Sequence, residues 1–84
     1  MSKTVTLRSG PELMDDIRAA IAESDAAEKV LCCSPKLARY IIRQIGTQPQ
    51  EIRKQLGADL LILGYLEDRR IIVTDAETAQ KLGK

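Results

Sequence analysis

Histidine, tryptophan and phenylalanine are all absent from this 84-residue chain, and its only aromatic side chains are Tyr40 and Tyr65. Without histidine, no Ser-His-Asp triad, no Cys-His pair and no histidine-bearing zinc site can be assembled. With so few aromatics, aliphatic side chains must supply the core. The two cysteines, Cys32 and Cys33, are sequence neighbours, a spacing that fits neither a disulfide framework nor a CxxC motif. Two thiols in an apolar stretch suit a reducing compartment, so a cytoplasmic location is expected. Met1-Ser2-Lys3 opens no apolar signal region, and the apolar run over residues 60–63 is far too short to span a bilayer. The expectation is a chain that inserts into no membrane and calls for no cofactor and no metal.

What is present points to a single α/β domain over residues 1–84. A chain of this size buries roughly 60–65% of the surface its unfolded form exposes, which allows one modest core. A hydrophobic content of 44% beside 30% charged residues is ordinary for a soluble globular protein. Residues 3–8 alternate, with Val5 and Leu7 on one side and Thr4 and Thr6 on the other, as in a half-buried strand. Ser9-Gly10-Pro11 breaks that pattern. Leu13, Ile17, Ala20 and Ile21 then recur at helical spacing behind Glu12, Asp15 and Asp16, which favour a helix start.

Residues 30–33 are apolar on both faces and read as a central strand, with one cysteine directed to each side of the sheet. Ser34 follows as an N-cap and Pro35 as the first helical residue. Leu37, Tyr40, Ile41 and Ile45 make the buried stripe of that helix, Lys36, Arg39 and Arg43 its wet side, and Gly46 its end. Residues 47–56 read as a short second helix or a loose turn. Residues 60–63 and 71–73 are two further strands apolar on both faces, and Thr74-Asp75 can cap a last helix through Lys81. The order β-α-β-α-(α)-β-β-α predicts a small two- or three-layer sandwich on a mostly parallel sheet of three or four strands. Its expected core is Leu7, Leu13, Ile17, Ile21, Val30, Leu31, Leu37, Ile41, Ile45, Leu61, Leu63 and Ile72.

Charge is uneven although the net value is only +1. Residues 9–28 hold six acids and one base, whereas residues 36–54 hold five bases and one acid. Solvated helix faces account for most such asymmetry, and docking of an acidic surface, or of another copy's acidic helix, on the basic one accounts for the rest. Cys33 and Arg39 stand at the Cys-x5-Arg spacing of phosphatase loops. The residues between them carry no glycine, and Pro35 removes a phosphate-binding N–H, so chance spacing is the better account and no catalytic residue is assigned. The helix start at Ser34 could receive an anion or phosphate. Residues 50–74 resemble a helix followed by a wing, and Arg53, Arg69 and Arg70 keep a small nucleic-acid-binding regulator open as an alternative. The carboxylate pairs Asp15-Asp16 and Glu67-Asp68 sit where a helix start and a turn favour acids for local reasons.

Val30-Leu31-Cys32-Cys33-Ser34-Pro35, with Arg39 and Ile41, resembles the Val-Leu-Leu-x-Ser-Pro strand that enters a basic helix in the last cytoplasmic subdomain of the type III secretion and flagellar export-gate family. Ile62-Leu63-Gly64-Tyr65-Leu66-Glu67 resembles that family's Val-Leu-Ser-Tyr-x-Glu strand, and Arg70-Ile71-Ile72-Val73 the strand after it. The likeness runs in order over residues 4–73. It departs at residues 46–57, which look inserted, at Gly64 in place of serine, and in the missing prolines after Glu67. The resemblance implies a non-enzymatic protein-interaction module, with a protein partner such as an acidic surface or a secretion component. On that reading Lys36, Arg39 and Arg43 form the docking face, and Tyr65 with Glu67 marks a second exposed edge.

Overall fold

The computed structural model describes residues 3–7, 12–25 and 27–83. The elements follow in the expected order: β1 (Lys3–Thr6), α1 (Leu13–Glu23), β2 (Lys29–Cys33), α2 (Pro35–Ile45), α3 (Pro49–Leu56), β3 (Asp59–Ile62), β4 (Arg70–Asp75) and α4 (Ala76–Leu82). The segment after Gly46 is thus a true helix, with Pro49 in its first turn and Gly57 closing it at φ 86°, a left-handed angle that suits glycine. The Ser9-Gly10-Pro11 break lies outside the described residues.

Local chemistry sets the helix boundaries. Ser34 Oγ accepts the Leu37 N–H at 3.2 Å, with Pro35 opening α2. Asp75 Oδ1 accepts the Thr78 N–H at 2.7 Å to open α4, and this bond holds the Asp75 carboxyl below its ordinary value.

The sheet order is β1-β4-β2-β3. β2 and β3 are parallel, but β4 is antiparallel to both β2 and β1. The expectation of a mostly parallel sheet is therefore corrected to a mixed one. The cause lies in the connection between β3 and β4. Residues 63–69 are too few to carry a crossover, so the chain reverses and β4 enters beside β2, on the side away from β3. β1 and β2 run the same way with β4 inserted between them, a split β-α-β arrangement.

Helices cover both faces. Ile17, Ile21, Leu37, Ile41, Ile52 and Leu56 from α1, α2 and α3 pack with Leu31, Cys33, Ile71 and Val73 on one side. On the other, α4 brings Ala79, Ala76 and Leu82 to Val30, Cys32, Leu63 and Ile72. Eight of the twelve expected core residues are buried, while Leu13, Ile45, Leu61 and Ile72 are only partly so. β4 is covered on both faces, but unequally: Ile71 and Val73, both 0% exposed, face the three-helix layer, and the expected core residue Ile72 faces the thinner α4 layer and is only partly buried.

This difference between faces can be measured. Ile71→Ala should lower the unfolding free energy by about 2–5 kcal/mol, and Ile72→Ala by less than half of that. Urea denaturation of the two variants checks the order; equal losses would contradict the two-layer burial.

Candidate interaction surface

Lys36, Arg39 and Arg43 lie three and four residues apart on α2, which places them on one helix face, and all three are exposed. They are not equivalent. Lys36 Nζ stands 3.9 Å from Asp68 Oδ2 in the β3–β4 loop, a solvent-exposed pair of small energetic weight. Arg39 and Arg43 form no ion pair with any described residue. The uncommitted charge of the stripe thus sits on its second and third members.

Tyr65 is 66% exposed in the loop after β3, and its hydroxyl donates to the Leu82 carbonyl at 3.4 Å. That bond draws the ring to the α4 side of the sheet, opposite α2. Glu67 is exposed and faces Arg70 Nη2 at 3.9 Å. The fold therefore brings Lys36 to the loop that carries Glu67, but it does not bring Tyr65 to the basic stripe. The five expected residues form two separate surfaces.

The thiols are poorly placed for chemistry. Cys32 and Cys33 are both 0% exposed and belong to opposite faces of the sheet. Burial, helped by the neighbouring Cys32, pushes the Cys33 thiol from the ordinary 9.0 up to about 12, and burial raises Cys32 as well. Arg39, five residues into α2, faces solvent while Cys33 faces the core, so the Cys-x5-Arg spacing builds no phosphate cradle. The anion reading of the Ser34 start is weakened too. Pro35 has no N–H, Leu37 donates to Ser34 Oγ, and Ala38 donates to the Ser34 carbonyl at 2.9 Å. Only the Lys36 N–H remains free in that first turn.

The wing reading fails on topology, because β3 and β4 lie on opposite sides of β2 and form no hairpin. Of its three arginines, Arg53 is also engaged: its Nε and Nη2 reach Asp59 Oδ1 and Oδ2 at 2.7 and 3.2 Å, and that pairing raises its pKa. Among the described residues no group of three carboxylates or thiols is arranged to hold a metal ion. No described helix is long and apolar enough to cross a membrane.

One feature lay outside the expected set. β3 is an edge strand, and Ile62 on it is 50% exposed. A groove of about 480 Å³ runs beside it on the α4 face, lined by Leu60, Leu61, Ala76, Ala79 and Gly83 among others. A second, of about 330 Å³, runs on the α3 face between Pro49, Ile52, Arg53 and Leu60. The apolar run at residues 60–63 was visible, but hydropathy reports whether the faces of a strand are covered and is silent about its edges.

No family model, curated protein or solved structure matches the chain.

The thiol burial has a consequence for alkaline stability. Below pH 9.0 Cys33 is protonated in both the folded and the unfolded chain, so its stabilising effect is complete. As pH rises from 9.0 towards about 12 the unfolded thiol ionises first and stability falls. The decline with pH in this window should be shallower in Cys33→Ala than in the parent, as read from urea midpoints; parallel declines would contradict the raised thiol pKa.

Proposed function

We propose that this chain is a non-enzymatic protein-docking module that receives an acidic surface of its partner on α2, as the resemblance to the export-gate subdomain implies. The observation that carries the reading is the pair Arg39 and Arg43: exposed, one turn apart, and without an ion pair among the described residues. Most surface arginines in a chain this rich in acids could find a local carboxylate, as Arg53 does with Asp59. A guanidinium pair left open on a rigid helix offers bidentate recognition of carboxylates with little ordering cost.

The electrostatic background favours the same partner. α2 and α3 together hold five bases against Glu51, which is engaged by Gln55. That local excess persists although the whole chain is nearly neutral, so it steers an acidic surface to one side of the molecule. The ordered strand-Ser-Pro-helix and strand-Tyr-x-Glu segments support assignment to the export-gate type, and a secretion component is the partner they imply.

Reversing both charges, Arg39→Glu with Arg43→Glu, should weaken partner binding by about ten-fold or more while leaving the fold intact, because neither side chain touches the core. Titration of the partner captured from native extract, alongside urea unfolding of the variant, checks this. Binding should also fall as salt rises. Unchanged affinity at matched stability would overturn the assignment of the site.

A further inference from the structure

We infer that the open edge of β3 takes up an extended, acidic segment of the partner protein as an added strand, an inference that rests on the docking reading above. The Leu63 N–H donates to the Cys33 carbonyl at 2.8 Å, which sets the phase of the β2–β3 ladder. Odd-numbered residues of β3 therefore direct their main-chain groups towards β2. Leu60 and Ile62 direct theirs outward, where no described residue takes them.

The two edges of the sheet are treated differently. β1 presents Lys3, Thr4 and Thr6 to solvent, with Lys3 paired to Glu23, as expected of an edge guarded against pairing. β3 carries the partly buried Leu60 and Leu61 and the exposed Ile62, and its only charge, Asp59, is neutralised by Arg53. Grooves flank this edge on both faces, so an incoming strand would find room for side chains alternating to either side. Those on the α4 face would meet Leu61, Ala76 and Ala79.

Charge selects the occupant. The helices bordering β3 on the other face are α2 and α3, with Arg39, Arg43 and Lys54 exposed. An acidic segment satisfies this layer. A second copy does not, because antiparallel β3–β3 pairing about a two-fold axis would set the basic α2 and α3 of both copies side by side on one face.

The test is selection from displayed random peptides of about twelve residues on the purified chain, followed by titration of the synthetic winners. Enriched sequences should alternate apolar residues and carry Asp or Glu at their flanks, and their binding should slow amide exchange at Leu60 and Ile62. Ile62→Pro removes an outward N–H without touching the ladder to β2, and should weaken these peptides by about ten-fold or more. Ile62→Thr keeps the N–H and should retain most of the affinity. Peptides that bind Ile62→Pro undiminished, or the absence of any enriched alternating acidic sequence, would overturn strand addition. If the captured partner still depends on Arg39 and Arg43 in that case, the docking module stands without it. A dimer in sedimentation that Ile62→Pro dissolves would assign the edge to a second copy and likewise overturn the inference.

Discussion

Strand β2 is enclosed on every side. Its main chain is shared between β4 and β3, while Leu31 and Cys33 sit under the three-helix layer and Val30 and Cys32 under α4. Each fully buried aliphatic side chain of this kind is worth about 1.5–3 kcal/mol relative to exposure. In a chain without phenylalanine or tryptophan, β2 and its neighbour β4 are the strands that anchor both layers at once. The placement of α2 follows from β2, because Ser34 and Pro35 begin the helix as soon as the buried strand ends. The basic stripe therefore stands on an element whose start is fixed by the core rather than by a mobile loop.

The elements and their caps were legible in the residues because the forces behind them are local. Pro35 after Ser34, Gly57 after Leu56 and Asp75 before α4 act within a single turn. The pairing of strands was less legible. Ile71-Ile72-Val73 reads the same in a parallel or an antiparallel neighbourhood, since burial on two faces carries no direction. The direction comes from the short passage over residues 63–69, which has no room for a crossover. The unequal burial of Ile71, Ile72 and Val73 is hard to read from the residues for a related reason. Three apolar residues in a row offer no polar alternate to mark the outward face, and the thick and thin helix layers that distinguish them belong to tertiary structure.

The candidate site was partly legible as well. Lys36, Arg39 and Arg43 were grouped by helical spacing, and they do share a face. Tyr65 with Glu67 reads as a second edge apart from them, and the ring's hydroxyl bond to Leu82 holds Tyr65 on the α4 side of the sheet. In many α/β proteins the ends of parallel strands open into a ligand crevice. Here that end is occupied by the Ser34 cap, the Leu63 bond to Cys33 and the ion pair between Lys36 and Asp68. The uncommitted chemistry has moved to the flank, onto the outer side of α2 and the rim of β3.

Inserting β4 between β1 and β2 also imposes an order on folding. The strand that joins the two halves of the sheet follows β3 in the chain, and Lys3 pairs with Val73 across most of the described sequence. As the chain emerges from the ribosome, β2, α2, α3 and β3 can assemble through a parallel crossover. β1, whose partner in the sheet is β4, has no place there until β4 arrives. Such non-local closure is slow and leaves a nascent intermediate open to wrong partners. Chaperone engagement would have its clearest target there, on the side of β2 that β4 later covers and not on the finished rim of β3.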